Sequence, residues 1–490
     1  MATRDAARTS VSHPLLIATV SAGAGMGRVG ITFCPGKKQA SAFTGCWDRD
    51  LDADIAAIAD LGAVAVVTLV EDHELTGLSV EGLGDAVRAR HMDWLHLPIR
   101  DVSVPTAAFE ATWTKAGPNL RSRLRAGFDV LVHCKGGLGR AGVVASRLLV
   151  DCGWAPAEAL AAVRAARPGA VETSAQERYV LALTALPEHL PDQREVAICH
   201  RAVGSLLGLA VGDAVGTTLE FTRRDAGAPL TDMVGGGPFR LKPGEWTDDT
   251  AMALALADSL AADPTLDEAD LMRRFVDWHR RGTYSCTGRC FDIGVTTRQA
   301  LARFEATGDG VAGSTDPMSA GNGSLMRLAP VAIRHWRDRT QLAAVAARQS
   351  RTTHAAPEAV DACIGFADML ADAIRGMSKD ELLARPRPSS SPAIAAILGG
   401  SWRGKGRDQI SSSGYVVHSL EAALWCVART GDFRSAVLLA ANLGDDADTV
   451  AAITGQLAGA LYGASDIPPE WLAKLAWRER LSHAAEALLA

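Results

Sequence analysis

The segment Val130–Gly142 carries a cysteine and an arginine at a spacing that suits phosphoryl chemistry. An apolar strand leads into a glycine-rich loop and then into a helix, and five residues separate Cys134 from Arg140. This spacing lets the loop curl with its backbone N–H groups inward, as an anion cradle at a helix N-terminus. The positive field favours the thiolate of Cys134, and Arg140 can hold two phosphoryl oxygens, so we expect a phosphocysteine intermediate. The predicted phosphate-binding residues are Lys135, Gly136, Gly137, Leu138, Gly139 and Arg140.

The leaving group of this reaction needs a proton donor on a separate loop, and Asp101 is the candidate. It lies in the segment Leu97–Pro105, after a predicted strand and before a segment with the character of a mobile loop. The alternative interpretation is a solvated aspartate that caps the helix beginning near Thr106.

Two clusters of carboxylates, Trp246–Met252 and Asn442–Val450, lie far apart in the sequence and both open Ala-rich helices. Hard oxygen ligands at this density suit Mg²⁺ or Mn²⁺, because adjacent acids repel one another unless a cation lies between them. A metal pair can polarise a departing bond and generate a nucleophilic water. The alternative is that Thr and Asp in each cluster are N-caps of their helices.

The elements that position these groups change character along the chain. Helical spacing in Leu51–Leu61 precedes a continuous β-branched run in Ala63–Val70, which predicts an α/β domain with a mostly parallel sheet flanked by helices. Leu186–Glu195 is polar with two prolines, and beyond it long Ala/Leu-rich runs such as Thr449–Tyr462 predict an all-α domain. The predicted divisions are an α/β domain over residues 1–188, a linker over 189–195 and an all-α domain over 196–490.

Composition limits the remaining classes of function. A chain of 490 residues with 48% hydrophobic and 22% charged residues is globular and exceeds a single core. The net charge of −6 offers no electrostatic footprint for nucleic acid or an anionic membrane, and the apolar stretch Pro14–Ala24 is too short to span a bilayer. Nine irregularly spaced cysteines are typical of reduced thiols. We therefore expect a soluble cytoplasmic protein.

The first half resembles the dual-specificity-like protein phosphatases of the kinase-associated phosphatase type over most of residues 14–185. The similar segments are His133–Gly142, Ile31–Lys37, Pro98–Asp101 and Arg167–Gln176. The resemblance implies that Gln176 orients the hydrolytic water and that no cofactor is needed. One departure is Ala141, since these phosphatases commonly have at this position a Ser or Thr whose hydroxyl steadies the thiolate leaving group.

The second half is similar to the ADP-ribosylglycohydrolase family over essentially residues 196–490, with the dinitrogenase-reductase-activating glycohydrolases as its nearest type. Five motifs occur in the family's order: Gly204–Glu220, Trp246–Met252, Tyr284–Gly294, Ala320–Pro330 and Asp446–Thr449. The resemblance implies hydrolysis of the N- or O-glycosidic bond at the anomeric carbon of ADP-ribose. An ADP-ribosylated protein or a small ADP-ribose conjugate is the implied substrate. The resemblance favours arginine-linked ADP-ribose, with serine-linked or acetylated ADP-ribose as the alternatives.

The same resemblance implies two Mg²⁺ or Mn²⁺ ions with a defined set of ligands: Thr247, Asp248, Asp249, Asp446, Asp448 and Thr449. Asp292 matches an acidic position that contacts the substrate or acts as a base, with a helix cap or a buried salt bridge as the alternative. Glycines 321 and 323 could approach a pyrophosphate, or form a plain turn before Leu325. The implied substrate-binding residues are Glu220, Gly321, Asn322, Gly323 and Ser324.

Three functions are compatible with these motifs. The first is a bifunctional hydrolase that removes phosphate from a phosphorylated protein or nucleotide at one site and ADP-ribose at the other. The second is a glycohydrolase tethered to a phosphate-recognition module, and the third is a scaffold with both sites degenerate. The presence of Cys134 with Arg140, and of all the implied metal ligands, argues against the third.

Overall fold

The computed structural model describes residues 7–42, 45–187 and 194–489. The chain folds into two compact units, Met1–Glu188 and His189–Ala490. Most of the predicted linker, residues 189–193, lies outside the described residues, and the first helix of the second unit already begins at Glu195.

A five-stranded sheet with the order β1-β2-β7-β5-β6 forms the centre of the first unit. Only β1 runs antiparallel to its neighbour, and β3 and β4 form a separate antiparallel ribbon. The strands are β1 (Ala18–Ser21), β2 (Arg28–Phe33), β3 (Lys38–Ala42), β4 (Gly45–Asp48), β5 (Ala63–Thr68), β6 (Asp93–His96) and β7 (Asp129–Cys134). The predicted α/β domain with a mostly parallel sheet is confirmed.

Both faces of this sheet are buried because its strands are apolar on both sides. On β7, Val130 and Val132 pack into one core, whereas Leu131 packs into the core on the opposite face. The helices that cover the sheet are α1 (Leu51–Asp60), α2 (Asp72–Gly77), α3 (Leu83–Arg88), α4 (Ala107–Arg125), α5 (Gly139–Asp151), α6 (Pro156–Ala166) and α7 (Ser174–Leu181). The segments that follow β2, β5, β6 and β7 leave from one edge, where parallel sheets place their ligands.

The second unit is helical, as predicted, and its described residues contain isolated β-bridges but no strand. Its helices are α8 (Glu195–Gly216), α9 (Asp248–Ala262), α10 (Glu268–Arg281), α11 (Val295–Thr307), α12 (Ala329–His335), α13 (Arg339–Thr353), α14 (Pro357–Arg375), α15 (Lys379–Ala384), α16 (Pro392–Leu398), α17 (Val416–Arg429), α18 (Phe433–Ala441), α19 (Ala447–Tyr462), α20 (Pro469–Lys474) and α21 (Arg478–Leu489).

Helices α8 and α19 pack backbone against backbone at the centre of this unit. Glycines recur on α8 at every fourth position, so they share one face of the helix, and a Cβ on any of them would overlap the backbone of α19. The contacting α8 glycines are Gly204, Gly208, Gly212 and Gly216. This glycine seam brings Asp213, near the end of α8, to the start of α19.

One helical stretch, Glu195–Leu219, is long and apolar enough to cross a membrane by length and composition. Of its most apolar window, 83% is buried inside the unit. This stretch contains α8, so its apolar character matches its position as a core helix.

Candidate active sites

The loop between β7 and α5 forms a backbone cradle around Cys134. The backbone N–H of Gly137 donates to Cys134 Sγ at 3.3 Å. Gly137 has a φ of 70°, and a Cβ there would lie 2.5 Å from the backbone nitrogen of Phe33, so this turn requires glycine. Helix α5 begins directly after the loop without an acidic side chain in its first turn. The cradle and the helix N-terminus together suit an anion.

The guanidinium of Arg140 is buried and its direction is fixed by Glu74 on α2. Its Nη1 and Nη2 donate to the two carboxylate oxygens of Glu74 at 2.5 and 3.0 Å, and Nη1 also donates to the carbonyl of Ile99 at 2.9 Å. Burial alone would raise the pKa of Glu74, but the hydrogen bond and charge of Arg140 help to hold it below its ordinary value. Glu74 therefore stays ionised and orients the arginine.

Asp101 also contacts Arg140, with Oδ1 2.9 Å from Nη2 and 57% of its side chain exposed. The N-cap of α4 is Thr106, whose hydroxyl accepts from the N–H of Phe109. The capping interpretation of Asp101 is therefore wrong. Asp101 lies beside the group that is predicted to hold phosphate, and its role as the acid stays a prediction.

Gln176 connects the loop of Asp101 to the phosphate cradle. Its Nε2 donates to the carbonyl of Ser103 at 3.1 Å, and its Oε1 accepts from the N–H of Glu172 at 3.0 Å. Both amide atoms lie 3.0 Å from the position that a Cβ on Gly139 would take. Ala141 is fully buried in α5, so a methyl group stands where the related phosphatases commonly have a hydroxyl.

Lys37, which follows β2, adds a buried cation to this site. Its Nζ lies 3.5 Å from the carbonyl of Lys135 and 4.7 and 4.4 Å from the ring centres of Phe33 and Trp47. Burial lowers the pKa of Lys37 to about 8. The amine is therefore mostly protonated at pH 7, and its charge adds to the positive field around Cys134.

In the second unit the two carboxylate clusters lie at the starts of α9 and α19 and face one another. Thr247 and Asp446 are the N-cap residues of α9 and α19, yet neither side chain makes a capping hydrogen bond. Thr247 Oγ1 instead lies 3.4 Å from Asp448 Oδ2, and Thr449 Oγ1 lies 3.5 Å from Asp249 Oδ2. The N-cap interpretation therefore does not hold for Thr247 and Asp446.

Acidic residues from elsewhere satisfy the starts of both helices. Asp213 on α8 accepts from the N–H and hydroxyl of Thr247, both at 2.9 Å, and from the N–H and hydroxyl of Thr250 at 3.1 and 2.6 Å. Glu220 Oε2 accepts from the first two N–H groups of α19, at 2.8 and 3.4 Å. Asp213 and Glu220 therefore take the place of side-chain N-caps at the starts of α9 and α19.

Two groups of carboxylates have oxygens within 4.8 Å of one another and share one member. The groups are Asp213, Asp249 and Asp448, and Glu220, Asp446 and Asp448. Asp249 Oδ1 is buried with no hydrogen-bond partner among the described residues. Burial and then neighbouring carboxylates raise the pKa values of Asp446 and Asp448 to about 7. Crowded, buried oxygens with an unused acceptor fit hard divalent cations.

Asp248 and Asp292 complete this acidic cluster. Burial, followed by the charges of Asp292 and Asp448, raises the pKa of Asp248 well above its ordinary value. Asp292 lies beside Asp448, and burial raises the pKa of Asp292 to about 7. The N-cap of α11 is Gly294, so the structure does not support the helix-cap interpretation of Asp292.

The segment 321–324 contributes unequally to the site. Asn322 Nδ2 donates to Asp446 Oδ2 at 2.7 Å, whereas the hydroxyl of Ser324 bonds to a buried serine of α13. A Cβ on Gly323 would lie 2.6 Å from Cε1 of the buried His354. Packing against this imidazole is a structural reason for glycine here, and contact with a pyrophosphate stays a prediction.

Comparison with known proteins identifies a family for each of the two units. Residues 194–490 match the ADP-ribosylglycohydrolase family model. The chain belongs to this family. Residues 43–180 match the model described as "Swiss Army Knife protein, DSP-PTPase phosphatase domain". The protein is thus a hydrolase with a phosphatase domain at its N-terminal end, and both resemblances predicted from the sequence are confirmed.

Three known proteins are similar to the glycohydrolase part of this chain. ADP-ribosylarginine hydrolase Tri1 of Pseudomonas putida (strain GB-1) is 53% identical over 290 residues, 59% of this chain and 77% of the relative. ADP-ribosyl-[dinitrogen reductase] glycohydrolase of Rhodospirillum rubrum is 36% identical over 307 residues, covering 60% and 97%. A solved structure described as an ADP-ribosylglycohydrolase-related protein complex matches with a TM-score of 0.53 and 42% identity, covering 60% of this chain and 98% of that one.

Glu74 and Asp213 are two site residues that the sequence motifs did not predict. Glu74 lies 66 residues before Arg140 on a six-residue helix, which carries no pattern of its own. Asp213 lies inside the recognised motif Gly204–Glu220, so its place was predicted but not its role. An acid flanked by glycines and small apolar residues on a core helix is the signal that could have found it.

Proposed function

We propose that the second unit hydrolyses the bond between ADP-ribose and an arginine side chain of a protein or small conjugate. The observation that carries this proposal is the buried acidic cluster in which Asp249 Oδ1 has no hydrogen-bond partner among the described residues. The arginine acceptor is supported by relatives whose names include ADP-ribosylarginine hydrolase. The proposed cofactors are two Mg²⁺ or Mn²⁺ ions.

In this proposal the cations are held by the predicted ligands from α9 and α19: Thr247, Asp248, Asp249, Asp446, Asp448 and Thr449. Divalent cations held by these residues would supply the charge that polarises the bond to the leaving group and activates a water molecule. Asp213 and Glu220 fix the starts of the two helices, and Asn322 orients Asp446. We assign to the partly buried carboxylate of Asp292 the role of the base that takes a proton from the attacking water.

For the first unit we propose phosphomonoester hydrolysis. Cys134 Sγ forms a bond to phosphorus as the ester P–O bond breaks, and Asp101 gives its proton to the leaving oxygen. Water directed by Gln176 then attacks phosphorus and gives a proton to the Asp101 carboxylate, so that the S–P bond breaks, phosphate leaves and the Cys134 thiolate is restored. The cradle of N–H groups and Arg140 neutralises the phosphoryl charge throughout, so this reaction needs no cation.

A phosphate-recognition module is the second candidate for this unit, favoured by the buried methyl of Ala141. Without a hydroxyl at this position, the thiolate leaves the phosphocysteine with less stabilisation. Alkylation by iodoacetamide at pH 7 separates the candidates. An activated Cys134 reacts quickly and is protected by inorganic phosphate, whereas an unactivated thiol reacts slowly.

The test of both proposals is incubation of the full chain with ADP-ribosylarginine and with an aryl phosphate, each with and without EDTA. EDTA is expected to stop ADP-ribose release, which Mg²⁺ or Mn²⁺ restores, and to leave phosphate release unchanged. Asp446→Asn is expected to lower the rate of ADP-ribose release by about two to three orders of magnitude. Asp445→Asn is the matched control, because Asp445 is exposed and Asn tolerates its φ of 56°. Full activity in EDTA contradicts the metal proposal.

A further inference from the structure

Three phenylalanine rings form a partly exposed aromatic rim in the second unit. The ring centres of Phe221 and Phe239 are 6.3 Å apart with edge-to-face geometry, and those of Phe239 and Phe291 are 5.2 Å apart. Phe221 is 69% exposed, which is unusual for a side chain that could bury a large apolar area.

The chain attaches this aromatic rim directly to the acidic cluster. Phe221 follows Glu220, whose carboxylate accepts from the start of α19, and Phe291 precedes Asp292, which lies beside Asp448 in the acidic cluster. Two rings of the aromatic rim are therefore each one residue away from a carboxylate of the cluster. A substrate whose scissile bond lies at the cluster can therefore bring the atoms next to that bond to the aromatic rim.

The backbone is strained at two residues where the aromatic rim meets the acidic cluster. Phe221 and Asp292 have φ values of 58° and 60°, and a bulky side chain is disfavoured in this left-handed region. Phe221 is held there by its N–H, which donates to the carbonyl of Asp445 at 2.8 Å. An exposed ring on strained backbone contributes little to folding, and such strain is concentrated at functional sites.

The negative charges next to the aromatic rim determine which chemical group the rim can bind. Aromatic faces attract cations, and the adjacent carboxylates reinforce that attraction. A planar guanidinium can stack on a ring while its N–H groups face carboxylates. We propose that Phe221 recognises the acceptor side of the substrate by stacking against the guanidinium of the ADP-ribosylated arginine. This inference rests on the proposed glycohydrolase function.

The other group that could stack here is adenine, which two riboses and a diphosphate separate from the guanidinium. The two placements differ in a measurable way, because free ADP-ribose contains adenine but lacks the acceptor. If Phe221 contacts the acceptor, its replacement weakens binding of ADP-ribosylarginine and leaves the affinity for ADP-ribose unchanged.

The experiment measures kcat and KM for ADP-ribosylarginine and the Kd of ADP-ribose, using the full chain with Mg²⁺. Phe221→Leu keeps an apolar side chain but removes the π face, so KM is expected to rise about five- to tenfold with kcat within about twofold. Phe221→Trp restores an aromatic face and is expected to return KM to within about twofold of the unsubstituted chain. All variants are expected to bind ADP-ribose equally.

Val196→Ala is the matched control. Val196 is 82% exposed, also apolar, and lies at the opposite end of α8 from Asp213, about four to five turns away. Its kinetic constants are expected to equal those of the unsubstituted chain.

An unchanged KM in Phe221→Leu overturns the inference, and an equal loss of affinity for ADP-ribose shows that the ring stacks on adenine instead. If the unsubstituted chain cleaves other ADP-ribosyl conjugates but not ADP-ribosylarginine, the arginine acceptor and this inference both fail. Inactivity towards every ADP-ribosyl conjugate overturns the glycohydrolase proposal itself, and the inference with it.

Discussion

Arg140 contacts two carboxylates that differ in burial, and this difference separates their tasks. The side chain of Glu74 is 6% exposed and that of Asp101 is 57% exposed. Breaking a buried ion pair leaves an uncompensated charge, whereas an exposed pair is worth about 0–1 kcal/mol. Glu74 can therefore hold the arginine permanently, while Asp101 can leave it when a phosphoryl group arrives.

Glu74→Gln removes the charged partner of the Arg140 guanidinium. The substitution is expected to lower the free energy of unfolding of the first unit by about 3 kcal/mol and to reduce the rate of phosphate release by at least about tenfold. The pKa of Glu74 lies below its ordinary value, so its stabilisation is fully present above about pH 4 and disappears as the pH falls through the lowered pKa. Urea unfolding of Glu74→Gln and of the unsubstituted chain is measured across this pH range. The free energies of unfolding of the two proteins are expected to become equal at the acidic end. Asp72→Asn on the same helix is the control, since its side chain is 93% exposed.

Asp101→Asn tests the proton donor. A general acid matters most when the leaving oxygen is basic, so the variant is expected to hydrolyse alkyl phosphates about 10²- to 10⁴-fold more slowly and activated aryl phosphates nearly as fast as the unsubstituted chain. Steady-state rates across leaving groups of graded acidity measure this dependence. A loss of equal size for every leaving group would remove Asp101 from the mechanism.

At the scale of elements, the glycine seam sets the position of the acidic cluster. Helix α8 carries Asp213 and α19 carries Asp448, and their backbones approach without an intervening side chain at Gly208 and Gly455. A change in the distance between the backbones of α8 and α19 therefore changes the distance between Asp213 and Asp448.

Gly208→Ala is expected to destabilise the second unit by about 1–3 kcal/mol, because a new methyl group overlaps the carbonyl of Gly455, although alanine is the better helix former by about 1 kcal/mol. The Mg²⁺ concentration for half-maximal activity is expected to rise in parallel. Thermal unfolding and Mg²⁺ titration measure the two effects. Gly227→Ala is the control, since nothing lies within 4 Å of its added Cβ, and it should match the unsubstituted chain in both measurements.

Sequence periodicity predicted the elements better than it predicted their contacts. The runs Leu51–Leu61 and Ala63–Val70 became α1 and β5 because apolar spacing along the chain fixes local structure. The Cys134 loop was predictable because its groups are contiguous. The hydrogen bond from Thr247 to Asp213 joins residues that are 34 positions apart in the sequence. Which of such distant residues meet is determined by the packing of the helices. The N-cap interpretation failed for the same reason, since the capping acids come from distant segments.

At the scale of the whole molecule, the metal-free second unit is expected to lose stability as the pH rises from about 4 to about 7. The folded-state pKa values of Asp446 and Asp448 are raised to about 7, above the ordinary value of about 3.9, so the folded state holds more protons across this window. Mg²⁺ is expected to reverse the slope, because cations bind the deprotonated acids. Thermal unfolding with EDTA or Mg²⁺ at several pH values checks this, and identical profiles contradict it.

The two units are expected to work independently. Cys134→Ser is expected to abolish phosphate release and to leave the rate of ADP-ribose release within about twofold, because the nucleophile belongs to one compact unit and the acidic cluster to the other. Both rates are measured on the same preparation. An equal loss of both activities would show that the units depend on one another.

The left-handed backbone of Phe221 has a consequence for the evolution of this protein. Asparagine fits a φ of 58° with less strain than phenylalanine, so Phe221→Asn is expected to raise the melting temperature. Random mutagenesis followed by selection for heat resistance alone would therefore favour loss of the ring. If the ring recognises the acceptor, variants selected in this way would be more resistant to heat and less specific for arginine conjugates. Only a second selection, for cleavage of arginine conjugates, would keep the phenylalanine.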